Sequence, residues 1–275
     1  MLTSVKKADG SKVLADMAQK TDGPFACPEC GNETTLHKGR IKIHHFAHKP
    51  PVLCEYGRGE SSEHMRCKHE IYTCLSRIND LECELEKPLG TVRPDVYIYS
   101  KTKRMSYAIE VQISTLTMDK IIHRTKEYAR LGIYVLWLSP YSDDIAMGQV
   151  YSPKSWEKWL HATYFGRVYY WTEKLTVIPV HFAEHQKWVE ESTWYESGGY
   201  ERSAGGYLKT QKRTKVVSRG TPLDIVRSFG ATERDQWFGG DIFVPKCKIL
   251  TDGLDPWWKK SARQPTRPAW VTVNT

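Results

Sequence analysis

The sequence has no run of about 18 apolar residues, so no membrane-spanning helix is expected. The opening stretch MLTSVKKADGSKVLADMAQK carries no apolar core of signal-peptide length, which points away from secretion. No internal repeat and no long low-complexity tract is present, so a repeat array or a fibrous class is not expected. The chain also lacks an even set of cysteines. There are 7, two of them in a CPEC knuckle, which excludes the usual secreted disulfide framework and points to a reducing compartment, the cytoplasm, with a metal site. No thioredoxin-like βαβ pattern follows the knuckle, which argues against a redox role. What is present suits a folded soluble protein: 275 residues, 40% hydrophobic and 26% charged, enough for one large domain or two smaller ones. The formal net charge of +8 favours an anionic partner, nucleic acid before membrane.

Three regions separate along the chain. Residues 1–58 are expected to form a zinc-ribbon-like domain, with a weak strand at Lys12–Leu14 and little regular structure over 23–58. Residues 59–185 alternate helical and strand patterns. Met65, Ile71, Leu75 and Ile78 recur at three- and four-residue steps and predict a helix over 60–78. LECELEKPLG, TVRPDVYIYS and MSYAIEVQI read as strands, the last two joined by the polar turn 100–103. Thr117 is placed to cap a helix that Gly132 ends. IYVLWLS, GRVYYW and KLTVIPVHF read as strands and SWEKWLHATY as a helix. Residues 186–275 form a basic, aromatic region of unassigned fold. Its part 186–220 reads as a mobile linker or flexible insertion, followed by short apolar patterns in PLDIVRSFG and GGDIFVPKCKIL. The tail DPWWKKSARQPTRPAW suits base stacking with Lys and Arg on phosphates, or docking of its tryptophans on the chain's own body.

Two constellations carry chemistry. Cys27 and Cys30 offer two thiolates at the spacing of one tetrahedral zinc ion. His45 and His48 are the obvious second pair, with Cys54 the alternative for one of those places; if IKIHHF is instead a core-facing strand that takes His45, only cysteines and one histidine bind the metal. A closed four-ligand site of this kind is structural. The second constellation is acidic. Glu110 and Gln112 lie on one face of a strand whose neighbours are apolar, where a bare carboxylate would cost several kcal/mol without a partner. Asp95, on the preceding strand, converges with Glu110 if the two strands form a hairpin. Mg²⁺ is usually held by one or two carboxylates plus substrate phosphate. Glu60, His64 and Lys68 at i, i+4 and i+8 share a helix face and would add a third carboxylate, a further ligand and a phosphate contact. Arg124 and Tyr128 share a face of the later helix and would position a DNA backbone. Singly, each of these also reads as an ordinary solvated face or turn.

The stretches FACPEC (25–30), HFAH (45–48), E-S-x-x-H-x-x-x-K (60–68), RPD (93–95), IEVQIS (109–114) and R-x-x-x-Y (124–128) together resemble the CoiA family of competence proteins. Asp95 with Glu110-Val111-Gln112 resembles the PD-(D/E)XK nuclease core. The resemblance implies an α/β fold, an αβββαβ nuclease core behind the small Cys/His domain. It implies a Mg²⁺- or Mn²⁺-dependent deoxyribonuclease, endonuclease before exonuclease, with structural Zn²⁺. Asp95 and Glu110 would be metal ligands, the Val111 carbonyl a third oxygen, and Glu60 and His64 the upstream helix pair. One departure is Gln112, which stands where the family pattern has Lys. Lys68 is the candidate to restore that charge. Nothing resembles a sequence-reading helix module, so little base specificity is expected. DNA is the expected partner, with recombination or DNA-processing proteins and a homodimer as further ones. The rival readings are a catalytically inactive DNA-binding accessory protein and a zinc scaffold that recruits a protein through its aromatic tail.

Overall fold

The computed structural model describes residues 1–51, 53–54, 56, 60–113 and 116–260. Ser114 of the strand motif and residues 261–275 of the tail lie outside the described residues. The N-terminal part is a five-stranded antiparallel sheet: β1 (Thr3–Lys6), β2 (Lys12–Leu14), β3 (Phe25–Ala26), β4 (Glu33–His37) and β5 (His45–His48), in the order β2-β1-β3-β4-β5. Segment 23–58 therefore holds three strands where little regular structure was expected. They are two to five residues long, too short to show much periodicity in sequence. Their core is small. Phe25 and Phe46 meet edge-on at 5.0 Å, with Leu36, Ala15 and Ala18 buried beside them.

The larger body begins with α1 (Ser62–Leu75), whose N-cap Ser61 accepts the His64 N–H at 3.1 Å and so satisfies one of the helix's free donors. Met65, Ile71 and Leu75 form its buried stripe. Then come β6 (Leu81–Leu85), β7 (Val96–Ser100), β8 (Met105–Val111), α2 (Met118–Arg130) and β9 (Tyr134–Pro140), so the order is α-β-β-β-α-β. β6, β7 and β8 form an antiparallel meander, and β9 lies parallel to β8 from Tyr107↔Tyr134 to Val111↔Leu138. A parallel pair needs a crossover, which α2 supplies. Gly132, at φ +74°, follows the last helical turn and lets the chain leave it. β9 is buried almost throughout, as a strand covered on both faces must be. Trp137 on β9 donates its ring N–H to Thr125 of α2 at 3.1 Å, and Tyr164 OH donates to the Val135 carbonyl at 3.1 Å. Burying rings of this size stabilises the body by about 4–6 kcal/mol each at 25 cal/mol per Å².

The sheet continues through β10 (Val150–Tyr151), α3 (Ser155–Thr163), β11 (Val168–Glu173) and β12 (Thr176–Val189). Beyond lie β13 (Ser192–Tyr195), β14 (Glu201–Ala204), β15 (Tyr207–Arg219), β16 (Leu223–Asp224), β17 (Phe229–Arg234), β18 (Trp237–Gly239), β19 (Ile242–Val244), β20 (Cys247–Asp252) and α4 (Trp257–Lys260). The main path is β10-β15-β12-β11-β9-β8-β7-β6, with β16, β17 and β20 joined to it. Residues 186–219 are thus no linker. They form the last residues of β12 and all of β15, with a second hairpin, β13–β14, at the end. Polar residues cover both faces there, so no apolar alternation marked the strands. Strands from both sides of position 185 share one sheet. Trp257 and Trp258 dock on the body: Trp258 stacks flat on His181 at 4.2 Å and Trp257 donates to Ser218 at 3.2 Å.

Candidate active site and metal centre

The carboxylates gather in a cleft of about 700 Å³ where the start of α1, the C-terminal end of β8 and α2 meet the N-terminal sheet. Asp95 directly precedes β7, which pairs with β8 as Val96↔Ile109. Its Oδ2 accepts the Val111 N–H at 2.8 Å and lies 3.0 Å from His64 Nε2. Glu60, just ahead of α1, sits 3.5 Å from His64 Nδ1 and pairs with Lys68. Glu60, His64 and Asp95 each present a ligand atom, all within 4.8 Å of one another, a set able to hold a metal ion. Glu110, 1% exposed, lines the same cleft beside Val111 and the buried Gln112, whose backbone N–H donates to the Leu138 carbonyl at 2.7 Å.

Three expected substrate contacts are engaged by the site's own carboxylates. Lys68 is only 2% exposed and is held by Glu60 and Glu86, with Asp95 at 3.8 Å. A cation so enclosed is not a free phosphate contact. Arg124 donates to Glu110 and to the Arg93 carbonyl, and the fully buried Tyr128 donates to Glu110. Both hold the buried carboxylate, and Arg124 keeps a quarter of its side chain exposed on the cleft.

The electrostatics follow from burial. Burial pushes Glu110 up, Arg124 opposes this and Asp95 adds to it, leaving its carboxyl at about 7. Burial also works against Asp95, yet His64 beside it holds it well below the carboxylate range. Burial would lower His64, but Asp95 raises it. Glu86, resisted by burial but drawn down by Lys68, sits at about 2.

Glu86 is the residue that the sequence did not reveal. In LECELE it alternates with Leu81, Cys83 and Leu85 and so reads as another exposed glutamate. The chain turns there instead, at φ +52°, a conformation costly for a non-glycine residue. This carries the carboxylate inward to Lys68, Thr3, Tyr56 and the Leu2 N–H. The strain is offset by that set of charge-assisted bonds.

The cysteine cluster forms one wall. Cys27, Cys30, His48 and Cys54 bring their ligand atoms within 4.8 Å of one another, with Cys30 Sγ 3.4 Å from His48 Nε2. His45 is not in the group, and Cys54 takes that place. The reason is the strand: residues three apart on β5 face opposite sides, so His45 and His48 cannot point to one ion. His45 stacks on His37 at 5.1 Å instead. From this wall Glu29, inside the knuckle, pairs with Arg93, and Arg93 lies over the Tyr56 ring at 4.4 Å. Cys54, Tyr56 and Glu29 all line the cleft.

Family comparison agrees with this layout. The model described as "Competence protein CoiA, nuclease-like domain" matches residues 60–170, and "Competence protein CoiA, N-terminal domain" matches 9–57. Together the two span more than half of the chain. The chain belongs to the CoiA competence protein family. Neither curated proteins nor solved structures gave a significant match. The CoiA nuclease-like region contains Glu60, Glu86, Asp95 and Glu110, and the N-terminal region contains Glu29 and all four members of the cysteine cluster. Among the described residues, no helix is long and apolar enough to cross a membrane.

Proposed function

We propose that this CoiA-family chain is a Mg²⁺- or Mn²⁺-dependent deoxyribonuclease of the PD-(D/E)XK type. It would act as a cytoplasmic endonuclease in DNA uptake, recombination or defence against foreign DNA, alongside other DNA-processing proteins. The observation that carries the reading is the convergence of Glu60, His64 and Asp95 in the cleft that also holds Glu110 and Val111. The α-β-β-β-α-β order and the nuclease-like family match support it. Two carboxylates and an imidazole suit Mn²⁺ or Mg²⁺. Glu60, Glu86, Asp95 and Glu110 face Lys68, Arg124, His64 and the Met1 ammonium, which lies 2.8 Å from Glu60, so a divalent cation would compete with these groups for the carboxylates. Glu60, His64, Asp95 and Glu110 would hold it, with the Val111 carbonyl alongside. Bound there, a divalent cation supplies Lewis-acid stabilisation of the phosphate and a nucleophile at neutral pH.

The chain's own residues prepare that site. Lys68 fixes Glu60 and Glu86 and keeps Asp95 ionised. His64 bridges Asp95 and Glu60. Arg124 and Tyr128 fix the Glu110 carboxylate until a metal competes for it. Gln112 orients solvent where the family pattern has Lys. The basic surface adds salt-sensitive attraction to the phosphate backbone. Three thiolates and one imidazole suit structural Zn²⁺ in the cysteine cluster. Gln112 and the Arg124–Glu110 pair favour the second reading, a non-catalytic DNA-binding accessory protein. Incubation with supercoiled, linear and single-stranded DNA in Mg²⁺, Mn²⁺ or chelator separates the two: metal-dependent cutting supports the first, and binding without cutting supports the second.

A further inference from the structure

The region beyond the family matches contains a feature that the cleft does not use. Past His185, β12 and β15 leave the body as a two-stranded arm, extended by β13 and β14. At about 3.3 Å per residue, His185 to Tyr195 spans roughly 35 Å. β12 runs antiparallel to β11, which is parallel to β9 and hence to β8. The arm therefore leaves the sheet at the end opposite the carboxylates, and what it does is independent of the nuclease reading.

Residues 190–204 are exposed at every position. A lone two-stranded ribbon is marginal in water without a packed face, and this one carries Trp194, Tyr195, Tyr200, Tyr207 and Leu208 outside. Among the described residues these are five of the sixteen exposed large hydrophobics, gathered in fifteen residues. Its charge is polar along its length. In the outer part, 190–206, Glu190, Glu191, Glu196 and Glu201 face only Arg202, a net of −3. In the inner part, 184–189 with 207–215, Lys187, Lys209, Lys212, Arg213 and Lys215 face only Glu184, a net of +4. Lys187 and Lys209 are direct cross-strand partners, a like-charge pair that destabilises a ribbon unless an anionic group meets it. Between the two parts the ribbon passes Gly205 at φ +113°, where a Cβ would stand 1.9 Å from the Glu190 carbonyl oxygen. Only glycine fits that crossing.

We infer that the arm is a dimerisation element whose occupant is the arm of a second copy, laid antiparallel about a two-fold axis near Gly205. In that arrangement the acidic tip of each copy meets the basic base of the other, and each ribbon supplies the face that the other lacks. Two-fold interfaces are self-complementary in this manner. Residues 186–211 fall within the roughly 20–30 residues per partner of a standard interface. A nucleic acid would be served by the base but repelled by the tip, so a second copy explains both halves. The dimer leaves both clefts open at the far ends of the two bodies.

The test is a charge swap on the full chain, read as mass in solution by sedimentation. One variant carries Glu190→Lys, Glu191→Lys, Glu196→Lys and Glu201→Lys. The other carries Lys187→Glu, Lys209→Glu, Lys212→Glu and Arg213→Glu. The wild type is expected to be a dimer, each variant alone to dimerise at least about a hundredfold more weakly, and the equimolar mixture to regain the dimer mass. Recovery on mixing also shows that both variants are folded. A monomeric wild type overturns the inference, and so does a dimer that neither swap weakens. Base substitutions that abolish DNA binding while leaving the dimer intact overturn it in favour of a nucleic-acid arm.

Discussion

At the scale of single residues, the site is a problem of enclosing four carboxylates and solving it with Lys68, Arg124, His64 and the Met1 ammonium. Lys68 is the centre of that solution. Replacing it with Met keeps the volume but leaves Glu60 and Glu86 buried without their cation, so Lys68→Met is expected to cost about 3–5 kcal/mol, measured by denaturant unfolding. Glu86 gives a pH signature. Its folded value of about 2 lies below its ordinary 4.5. Its stabilisation is therefore complete above 4.5 and lost as pH falls through about 2. The melting temperature should drop across that window, and Glu86→Gln should flatten that part of the curve while lowering stability at neutral pH. The acidic residues were legible because Glu110 is anomalous in an apolar strand and Asp95 precedes its hairpin partner. Glu86 was not legible, because its role depends on a backbone reversal that the alternation of LECELE conceals. Nor was the engagement of Arg124 and Tyr128 with Glu110, since helix spacing shows that two residues share a face but not what that face meets.

At the scale of elements, the helices and the strands β7, β8 and β9 were readable because their periodicity spans five to fourteen residues with clear turns between them. The short strands β3 and β4 were not, and β5 was legible only as the alternative strand IKIHHF: treated as a loop, H-x2-H looks like a ligand pair, whereas on a strand it points two ways, which leaves cysteines and one histidine. Metal content measures the difference. His45→Ala is expected to keep one full metal equivalent, and Cys54→Ser and His48→Ala to lose most of it. The cysteine cluster also bears on the cleft through Glu29–Arg93 and Tyr56–Glu86. Stripping its metal with a chelator should therefore raise proteolysis of the N-terminal sheet and abolish cleavage, and restoring Mg²⁺ alone should not recover it.

At the scale of the whole molecule, the CoiA-family pair of domains encloses one cleft, with the cysteine cluster as wall and the sheet end as floor. The polar arm was illegible because strands exposed on both faces carry no core pattern, so composition alone suggested a linker. The most direct test of the central claim is cleavage of DNA by wild type, Asp95→Asn and Glu110→Gln with Mg²⁺ or Mn²⁺, checking metal content of the cysteine cluster in each. The expected result is cutting by the wild type and a loss of about a hundredfold or more in both variants, with that cluster still loaded. Equal cutting by all three, or binding by all three with no cutting in any metal, would contradict the assignment of these carboxylates to catalysis.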